Sequence, residues 1–192
     1  MSKVYLALIH YPIYNKNMEV IATSVTNLDI HDIARSSRTY GIENYFIVHP
    51  YETQQNLTKE IIGYWQDGYG SQYNSDRKEA FSKIKLASSL AETVQLITEE
   101  CGQKPRLITT DARVYPNTIS YQSLRYSIEN EQEPYLLLFG TGWGIEKETM
   151  LSADFILEPI YGPSDYNHLS VRSAVAIILD RLLGENWWDV KL

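Results

Sequence analysis

The 192-residue sequence predicts an α/β fold in which helices flank a mainly parallel β-sheet. Two observations support this class: apolar runs of strand length recur along the chain, and segments with helical spacing lie between them. Strands that alternate with helices are typical of parallel sheets covered on both faces. No linker or internal repeat divides the sequence, so we expect a single domain over residues 1–192.

Six apolar runs have the length of a β-strand, and most are bounded by Gly, Pro, Asn or Asp, as strands usually are. They cover residues 4–9, 20–25, 45–48, 107–110, 135–139 and 155–157.

Three segments carry apolar residues at helical spacing and are each followed by a glycine, which is a common helix stop signal. They cover residues 30–40, 86–101 and 171–182. The polar stretch 63–78 has no such pattern and contains Gly68 and Gly70, so we predict a long surface loop there.

The composition excludes several classes of protein. A net charge of −7 is not that of a protein that coats nucleic acid through bulk charge, although a local basic patch remains possible. Cys101 is the single cysteine, so no disulfide forms within the chain and a reducing cytoplasm is the expected location. The four histidines lack H-x-x-x-H spacing, and no stretch reaches the roughly 20 apolar residues of a membrane span. We therefore expect neither a metal site nor a membrane association.

Four polar or glycine-containing stretches each follow a predicted strand. They are "HYPIYN", "TTDARVY", "FGTGWG" and "LEPIYG". Ligands of open α/β sheets bind at the carboxyl ends of the strands, so we expect a ligand site where these four stretches meet.

The glycine-rich stretch "FGTGWG" does not match the known phosphate-binding motifs, because no Lys-Ser/Thr follows and its third glycine comes too early. Glu146 and Glu148 follow it in a predicted first helical turn, where negative charge disfavours a polyphosphate. The stretch could instead bind a neutral or cationic ligand through free backbone groups, or it could be a tight turn without a ligand. The residues alone leave both readings open.

The segment "NLDIHDIARSSRTYG" predicts a helix with a polar stripe beside its apolar face. His31, Arg35 and Arg38 have the spacing i, i+4, i+7, and Asp29 could cap the helix. Such a stripe could contact nucleic acid phosphates, or it could be a solvated helix face.

The segment "YNHLSVRSAVAIILDRLLG" predicts a loop that leads into the last helix. Asn167 or Ser170 could cap this helix, and His168 lies at the junction where a ligand could reach it. Arg172 would lie in the first turn, where the helix dipole disfavours a cation. It could therefore pair with an acidic neighbour or face an anion.

Taken in order along the chain, these motifs resemble the SPOUT superfamily of S-adenosylmethionine-dependent RNA methyltransferases. The chain is similar in particular to a bacterial RNA methyltransferase domain family related to the tRNA guanine-N1 methyltransferases. The resemblance runs from Tyr5 to Gly184 and is carried by four stretches of sequence. They are "YLALIHYPIYNKNMEVIATSVTNLDIHDIARSSRTYG", "LLLFGTGWGI", "ILEPIYG" and "DYNHLSVRSAVAIILDRLLG".

The resemblance implies a C-terminal trefoil knot that holds S-adenosylmethionine between three loops, here residues 110–113, 140–145 and 157–169. It also implies a homodimer in which the helix over residues 170–183 closes the knot and contributes to the interface. The cofactor-binding residues that it implies are Thr110, Asp111, Ala112, Phe139, Gly140, Thr141, Gly142, Trp143, Gly144, Leu157, Pro159, Ile160, Asn167, His168, Leu169 and Ser170.

The resemblance also implies roles in catalysis. Arg35 stands six residues before Gly41, as the arginine of the superfamily's first motif does. Arg35 and Arg38 would hold RNA phosphate or stabilise developing charge, while Asp29, Asp111 and His168 are candidate bases. Tyr11, Tyr14 or Trp143 could stack on the target base.

Departures from the superfamily pattern favour a target other than the ribose 2′-hydroxyl. Asp29 stands where the ribose-methylating branch often has Asn, and Thr141 stands where that branch has Glu. Two other functions stay open. One is a cofactor- or RNA-binding module with little or no transferase activity, and the other is a nucleotide-using α/β enzyme.

Overall fold

The computed structural model describes residues 1–164 and 166–185. Residue 165, in the predicted loop 157–169, and residues 186–192 of the predicted domain lie outside this part. The strands are β1 (Val4–Ile9), β2 (Ile13–Tyr14), β3 (Val20–Ile21), β4 (Tyr45–Val48), β5 (Ile84–Ala87), β6 (Arg106–Thr110), β7 (Thr118–Ile119), β8 (Tyr135–Gly140) and β9 (Phe155–Leu157). The helices are α1 (Asn27–Thr39), α2 (Glu52–Gln66), α3 (Tyr69–Tyr73), α4 (Ser75–Phe81), α5 (Leu90–Cys101), α6 (Tyr121–Asn130), α7 (Lys147–Leu151) and α8 (Val171–Leu183).

Seven of the strands form one sheet in the order β5-β4-β1-β8-β6-β9-β7. All neighbouring pairs in this sheet are parallel. Strands β2 and β3 form a separate antiparallel hairpin. The predicted class, a mainly parallel sheet flanked by helices, is confirmed.

Apolar side chains fill the space on both faces of the sheet. Successive residues of β1 point to opposite faces of the sheet, as they do in any strand. Leu6 and Leu8 pack with α1, α4, α6 and α8, whereas Tyr5 and Ala7 pack with α5, α7 and the β2–β3 hairpin. A strand that is buried on both sides reads as a continuous apolar run, which is why β1 is visible in the sequence.

Five of the six predicted strands are confirmed, and the sixth is wrong. Of residues 20–25, only Val20 and Ile21 pair, and they do so in the hairpin rather than in the main sheet. The next residues turn toward α1, whose N-terminus is capped by Thr26 and not by Asp29 as predicted. The side-chain oxygen of Thr26 accepts a hydrogen bond from the Asp29 N–H at 3.2 Å.

The prediction of a loop over residues 63–78 is also wrong, because this stretch contains the end of α2, all of α3 and the first half of α4. The glycine of α3 is a packing residue. A Cβ atom at Gly70 would lie 2.6 Å from the Trp65 ring and 2.9 Å from the Tyr64 ring, so only glycine lets α3 approach α2 this closely.

The helix predicted over residues 86–101 begins later, at Leu90, because Ser89 caps it and the preceding residues form β5. Helix α8 matches the predicted segment 171–182 closely. Ser170, one of its two predicted caps, accepts a hydrogen bond from the Ser173 N–H.

A buried polar network lies at the carboxyl end of β1. The side chain of His10 is fully buried, and its Nδ1 lies 3.1 Å from the Thr23 hydroxyl, which also contacts the Thr141 hydroxyl. His49 Nε2 lies 3.1 Å from the Thr23 carbonyl oxygen. Burial, assisted by the nearby His49, lowers the pKa of His10 to about 4. His10 is therefore neutral in the folded protein at neutral pH.

We predict that Leu137→Ala lowers the free energy of unfolding by roughly 2–5 kcal/mol, because it opens a cavity under a fully buried side chain of β8. Urea denaturation followed by circular dichroism measures this change. Leu28→Ala is the matched control, since Leu28 on α1 is 59% exposed, and it should change stability little. Equal losses in the two variants would contradict the assignment of Leu137 to the core.

We predict that protonation of His10 destabilises the fold in acid. The pKa of His10 is 6.5 as a free side chain and about 4 in the fold, so the unfolded chain binds the proton more tightly. The corresponding stability is fully present above pH 6.5 and is lost as the pH falls toward 4, by at most about 3 kcal/mol.

This loss can be measured by urea denaturation at pH 7 and at pH 4.5. In His10→Gln the loss between the two pH values should be smaller than in the wild type. His168→Gln, which replaces an exposed histidine instead of a buried one, is the control for the substitution itself. Parallel pH profiles of the wild type and His10→Gln would contradict the prediction.

Candidate functional site

A cavity of about 900 Å³ opens at the carboxyl ends of β6 and β8, where the sequence predicts a ligand site. We call it the main cavity. Residues 110–113, 139–144 and 167–172 form most of its wall. These segments follow β6, follow β8 and lead into α8, so the sheet topology brings together three stretches that are far apart in sequence.

The structure brings almost all of the predicted cofactor-binding residues to this cavity. Leu157 and Pro159 are the exceptions among them. Both are buried, and Leu157 packs into the core on the α1 face of the sheet. Their neighbour Ile160 does line the cavity, so the last of the three predicted loops contributes to it through fewer positions than expected.

Other residues of the main cavity were not identified from the sequence. Thr23 and Ser24 follow the hairpin, Tyr121 begins α6, and Glu158 directly follows β9. The stretch "HYPIYN" indicated that the end of β1 is near the site. The hairpin that follows it is short and partly polar, and it gives no strand signal of its own.

The glycine loop, residues 140–145, is paired with this hairpin. The Trp143 N–H donates to the Tyr14 carbonyl oxygen at 3.0 Å, and the Tyr14 N–H donates to the Gly144 carbonyl oxygen at 2.9 Å. The Gly144 N–H donates to the Thr141 carbonyl oxygen at 3.1 Å. The expectation that the loop offers free backbone groups is therefore wrong for the N–H groups of Trp143 and Gly144 and the carbonyl groups of Thr141 and Gly144, which already have protein partners.

Two glycines of the loop are required by its geometry. Gly142 has φ +56°, and a Cβ atom there would lie 3.0 Å from Ile13 Cγ2 and 3.1 Å from the Tyr14 carbonyl oxygen. A Cβ atom at Gly140 would lie 2.8 Å from Ile145 Cγ1. The loop is thus a tight turn and also a wall of the main cavity, so the two readings of its sequence are compatible.

The start of α7 offers no phosphate site. Glu146 caps this helix, and its carboxylate accepts hydrogen bonds from the N–H groups of Glu148 and Thr149 at 2.8 and 2.9 Å. The backbone donors that would bind a phosphate are already bonded to a carboxylate, as the acidic sequence after the glycines suggested.

Four charged side chains of the main cavity form two ion pairs. Arg113 contacts both oxygens of Asp111 at 3.0 and 3.1 Å, and Arg172 lies 3.0 Å from Asp29. Glu158, a third carboxylate, accepts the Tyr121 N–H at 2.7 Å. Two paired arginines and three carboxylates do not match a polyphosphate, but they suit a ligand that is neutral, zwitterionic or cationic.

Asp29 lies on the wall of the main cavity, with only 7% of its side chain exposed. One carboxylate oxygen contacts Arg172, and the other accepts the Thr26 hydroxyl at 2.5 Å. Arg172 also contacts Asp32 at 3.3 Å. The sequence left two possibilities for Arg172, an acidic neighbour or a bound anion. The structure shows that it pairs with acidic neighbours.

Arg35 lines a second, more open cavity of about 650 Å³ between α1 and α8, which we call the side groove. Asp32, Tyr40 and Ser173 also line it. The two cavities adjoin, because Ser170 and Arg172 line both of them.

The predicted stripe of His31, Arg35 and Arg38 is not one cationic surface. The ring of His31 is half-buried, with its centre 5.2 Å from that of Trp65 and 4.8 Å from that of Phe81. Burial and then the nearby Arg77 lower the pKa of His31. Arg38 forms an ion pair with Glu79 on α4 and lines neither cavity.

Within residues 1–164 and 166–185, no group of three or more His, Cys, Asp or Glu side chains could hold a metal ion. In the same part of the chain, no helix is both long and apolar enough to cross a membrane.

Known proteins resemble this chain over most of its length. It is 47% identical to an uncharacterized protein of Aquifex aeolicus (strain VF5), over 98% of this chain and 92% of that protein. It is 42% identical to a tRNA (guanine-N(1)-)-methyltransferase of Oleidesulfovibrio alaskensis, over 95% of this chain. The chain spans only 42% of the length of that enzyme.

Solved structures share the fold at low sequence identity. TrmJ from Z. mobilis ZM4 superposes with a TM-score of 0.62 and 15% identity, over 97% of this chain and 70% of that one. The TrmH/SpoU tRNA modifying enzyme of A. aeolicus gives a TM-score of 0.54 and 15% identity, over 95% of this chain and 75% of that one. Residues 3–184 match the model of a family described as SAM-dependent RNA methyltransferase. The predicted resemblance to SPOUT enzymes is thereby confirmed, and the chain belongs to this family of RNA methyltransferases that use S-adenosylmethionine.

Proposed function

We propose that the main cavity binds S-adenosylmethionine and that tRNA is the RNA that this chain methylates. The observation that carries the first part is the meeting of three predicted cofactor loops around one cavity at the ends of β6 and β8. The tRNA substrate is supported by the 42% identity to a tRNA methyltransferase.

The chemistry of the main cavity fits this cofactor. Its volume of about 900 Å³ lies at the upper end of the range for small-molecule sites. Phe139, Ile160 and Ile178 give it an apolar side for an adenine ring, and three carboxylates beside two arginines leave no excess of positive charge to oppose a ligand with a positive centre. When bound, the cofactor supplies a methyl group that its sulfonium already activates, so the protein mainly positions the reactants and excludes water.

We propose that RNA reaches the methyl group from the side groove. Arg35 is exposed there, and its guanidinium can form charge-assisted hydrogen bonds with a phosphate. Because Arg38 pairs with Glu79 away from both cavities, the geometry favours a structural role for it.

His168 is the base that we propose for a target atom that carries a proton. The other two candidates, Asp29 and Asp111, are each held in an ion pair with an arginine. His168 is exposed on the wall of the main cavity, with its ring centre 5.7 Å from that of Tyr166. An imidazole is a common general base in enzymes, and an exposed one on the cavity wall is free to approach a bound target atom.

We also propose the C-terminal trefoil knot. Strand β9 lies between β6 and β7, although residues 111–117 join β6 to β7 directly. Asn167 of the segment after β9 donates to the Ala112 carbonyl oxygen at 2.8 Å, which supports a path of the C-terminal segment against that connection. An experimental structure in which this segment does not pass through the loop would exclude the knot.

A homodimer is supported by the family resemblance. It would bring two copies of Arg35 together, although each chain has a net charge of −7.

Two core clusters on the faces of one sheet support a single domain, and the lone Cys101 suits the cytoplasm. The proposed reaction requires no metal, because the sulfonium already activates the methyl group.

Two measurements test the proposed function. Calorimetry should detect binding of S-adenosylmethionine and of its product, S-adenosylhomocysteine. Labelled methyl should then be transferred to tRNA, with rRNA as the comparison substrate. Absence of binding at millimolar ligand would overturn the cofactor site, and transfer to rRNA alone would overturn the tRNA proposal.

We predict that Gly142→Val weakens S-adenosylmethionine binding at least tenfold. The new side chain would meet Ile13 and the Tyr14 carbonyl oxygen and would force strain at φ +56°, so the loop and the hairpin must separate. Calorimetry measures the affinity. The matched control is Gly63→Val on α2, where a Cβ atom has no neighbour within 4 Å. Unchanged affinity in Gly142→Val would show that the wall of the cavity does not depend on this turn.

We predict that Arg35→Ala lowers kcat/KM for RNA by about ten- to a hundredfold and leaves cofactor affinity unchanged. The reason is that Arg35 lines the side groove and not the main cavity. Methyl transfer to tRNA and calorimetry measure the two effects. Arg38→Ala removes an equivalent charge from the same helix and should stay close to the wild type. Equal losses in both variants would indicate bulk charge rather than a specific contact.

A further inference from the structure

Arg172 occupies a position that helix physics disfavours. It is the second residue of α8, where the positive end of the helix dipole opposes a cation. The first turn of α8 contains no acidic residue that would offset this charge locally. The position must therefore be stabilised by groups on another element.

Two carboxylates of α1 provide this stabilisation. One terminal nitrogen of Arg172 lies 3.0 Å from Asp29 Oδ1, and its Nε lies 3.3 Å from Asp32 Oδ2. Asp29 and Asp32 are three residues apart, so they lie on neighbouring turns of the same side of α1. Contacts to two carboxylates fix the plane of the guanidinium as well as its position.

The two carboxylates lie in different surroundings. Asp29 is 7% exposed and lines the main cavity, whereas Asp32 is 52% exposed and lines the side groove. Arg172 lines both and so forms part of the partition between them. The ion pair with Asp29 is the one that faces the proposed cofactor site.

We propose that Arg172 is a positioning residue that keeps the wall of the main cavity electrically neutral at Asp29. This inference rests on the proposed binding of S-adenosylmethionine in that cavity. Without Arg172, the Asp29 carboxylate would face the ligand with an uncompensated negative charge in a shielded site, where charges interact strongly.

The consequence for catalysis follows from the charge balance of methyl transfer. The bond between the methyl carbon and sulfur breaks as the bond from the RNA nucleophile to that carbon forms. The electron pair stays on sulfur, which changes from a cation to a neutral thioether, and any proton on the nucleophile passes to the base. An uncompensated carboxylate would therefore stabilise the donor more than the transition state, in which the positive charge is already falling.

The ratio of the two ligand affinities tests this role, because S-adenosylmethionine has a cationic sulfur and S-adenosylhomocysteine a neutral one. In Arg172→Gln, calorimetry should show the ratio shifting about tenfold in favour of S-adenosylmethionine. Arg172→Lys should stay near the wild-type ratio. Asp29→Asn leaves Arg172 without its buried partner, so the ratio should move in the opposite direction. Single-turnover methyl transfer at saturating S-adenosylmethionine should be slower in Arg172→Gln than in the wild type, although the variant binds the donor more tightly.

The outcomes separate this inference from the function on which it rests. If the wild type binds both ligands but Arg172→Gln weakens both equally, Arg172 is only a structural tie between α8 and α1, and the inference is overturned. If Arg172→Gln does not fold, the ratio in Asp29→Asn decides, and an unchanged ratio there overturns the inference. If the wild type binds neither ligand, the proposed function and this inference are both overturned.

Discussion

The position of β8 in the middle of the sheet is the constraint on which the rest of the structure depends. Strand β8 pairs in parallel with β1 on one side and β6 on the other, with Gly140 opposite Ile9 and Leu138 opposite Thr109. Parallel strands end at the same edge, so this register delivers the end of β1, the 110–113 segment and the glycine loop to one place. Without that pairing, the 110–113 segment and the glycine loop would have no reason to meet at one cavity.

The β2–β3 hairpin turns this meeting of loops into a wall of defined shape. Its residue Tyr14 exchanges hydrogen bonds with Trp143 and Gly144, so the backbone of the glycine loop is fixed by the protein itself. The loop is therefore already ordered before a ligand binds. Binding carries no entropy cost for ordering it, and this preorganisation favours affinity. The glycines serve this close approach between loop and hairpin. A phosphate-binding loop would instead keep its N–H groups free for the ligand.

The parts of the fold that could be predicted are those governed by local rules. Continuous apolar runs identified β1, β4, β6, β8 and β9, and the order of strands and glycines placed most of the cavity residues correctly. The hairpin, strands β5 and β7, and helices α2 to α4 and α6 were missed, because their short or half-polar sequences give no clear periodic signal. The ion pair between Asp29 and Arg172 joins positions 143 residues apart, so the sequence could show that Arg172 needs a partner but not which one. The same holds for Arg38, whose partner Glu79 removes it from the cationic stripe.

The arrangement of charge in the main cavity is best understood from the reaction that the family performs. Methyl transfer from a sulfonium abolishes a positive charge at sulfur, so the site gains nothing from holding strong negative charge against the donor. The chain has carboxylates at Asp29 and Asp111 on this wall, but an arginine neutralises each of them. An exposed arginine in the adjoining side groove then places positive charge where RNA phosphates would lie, although the whole chain is acidic. Two compensated carboxylates at the proposed cofactor site, beside an exposed arginine in the side groove, are thus a charge distribution that the chemistry favours, and net charge alone would not reveal it.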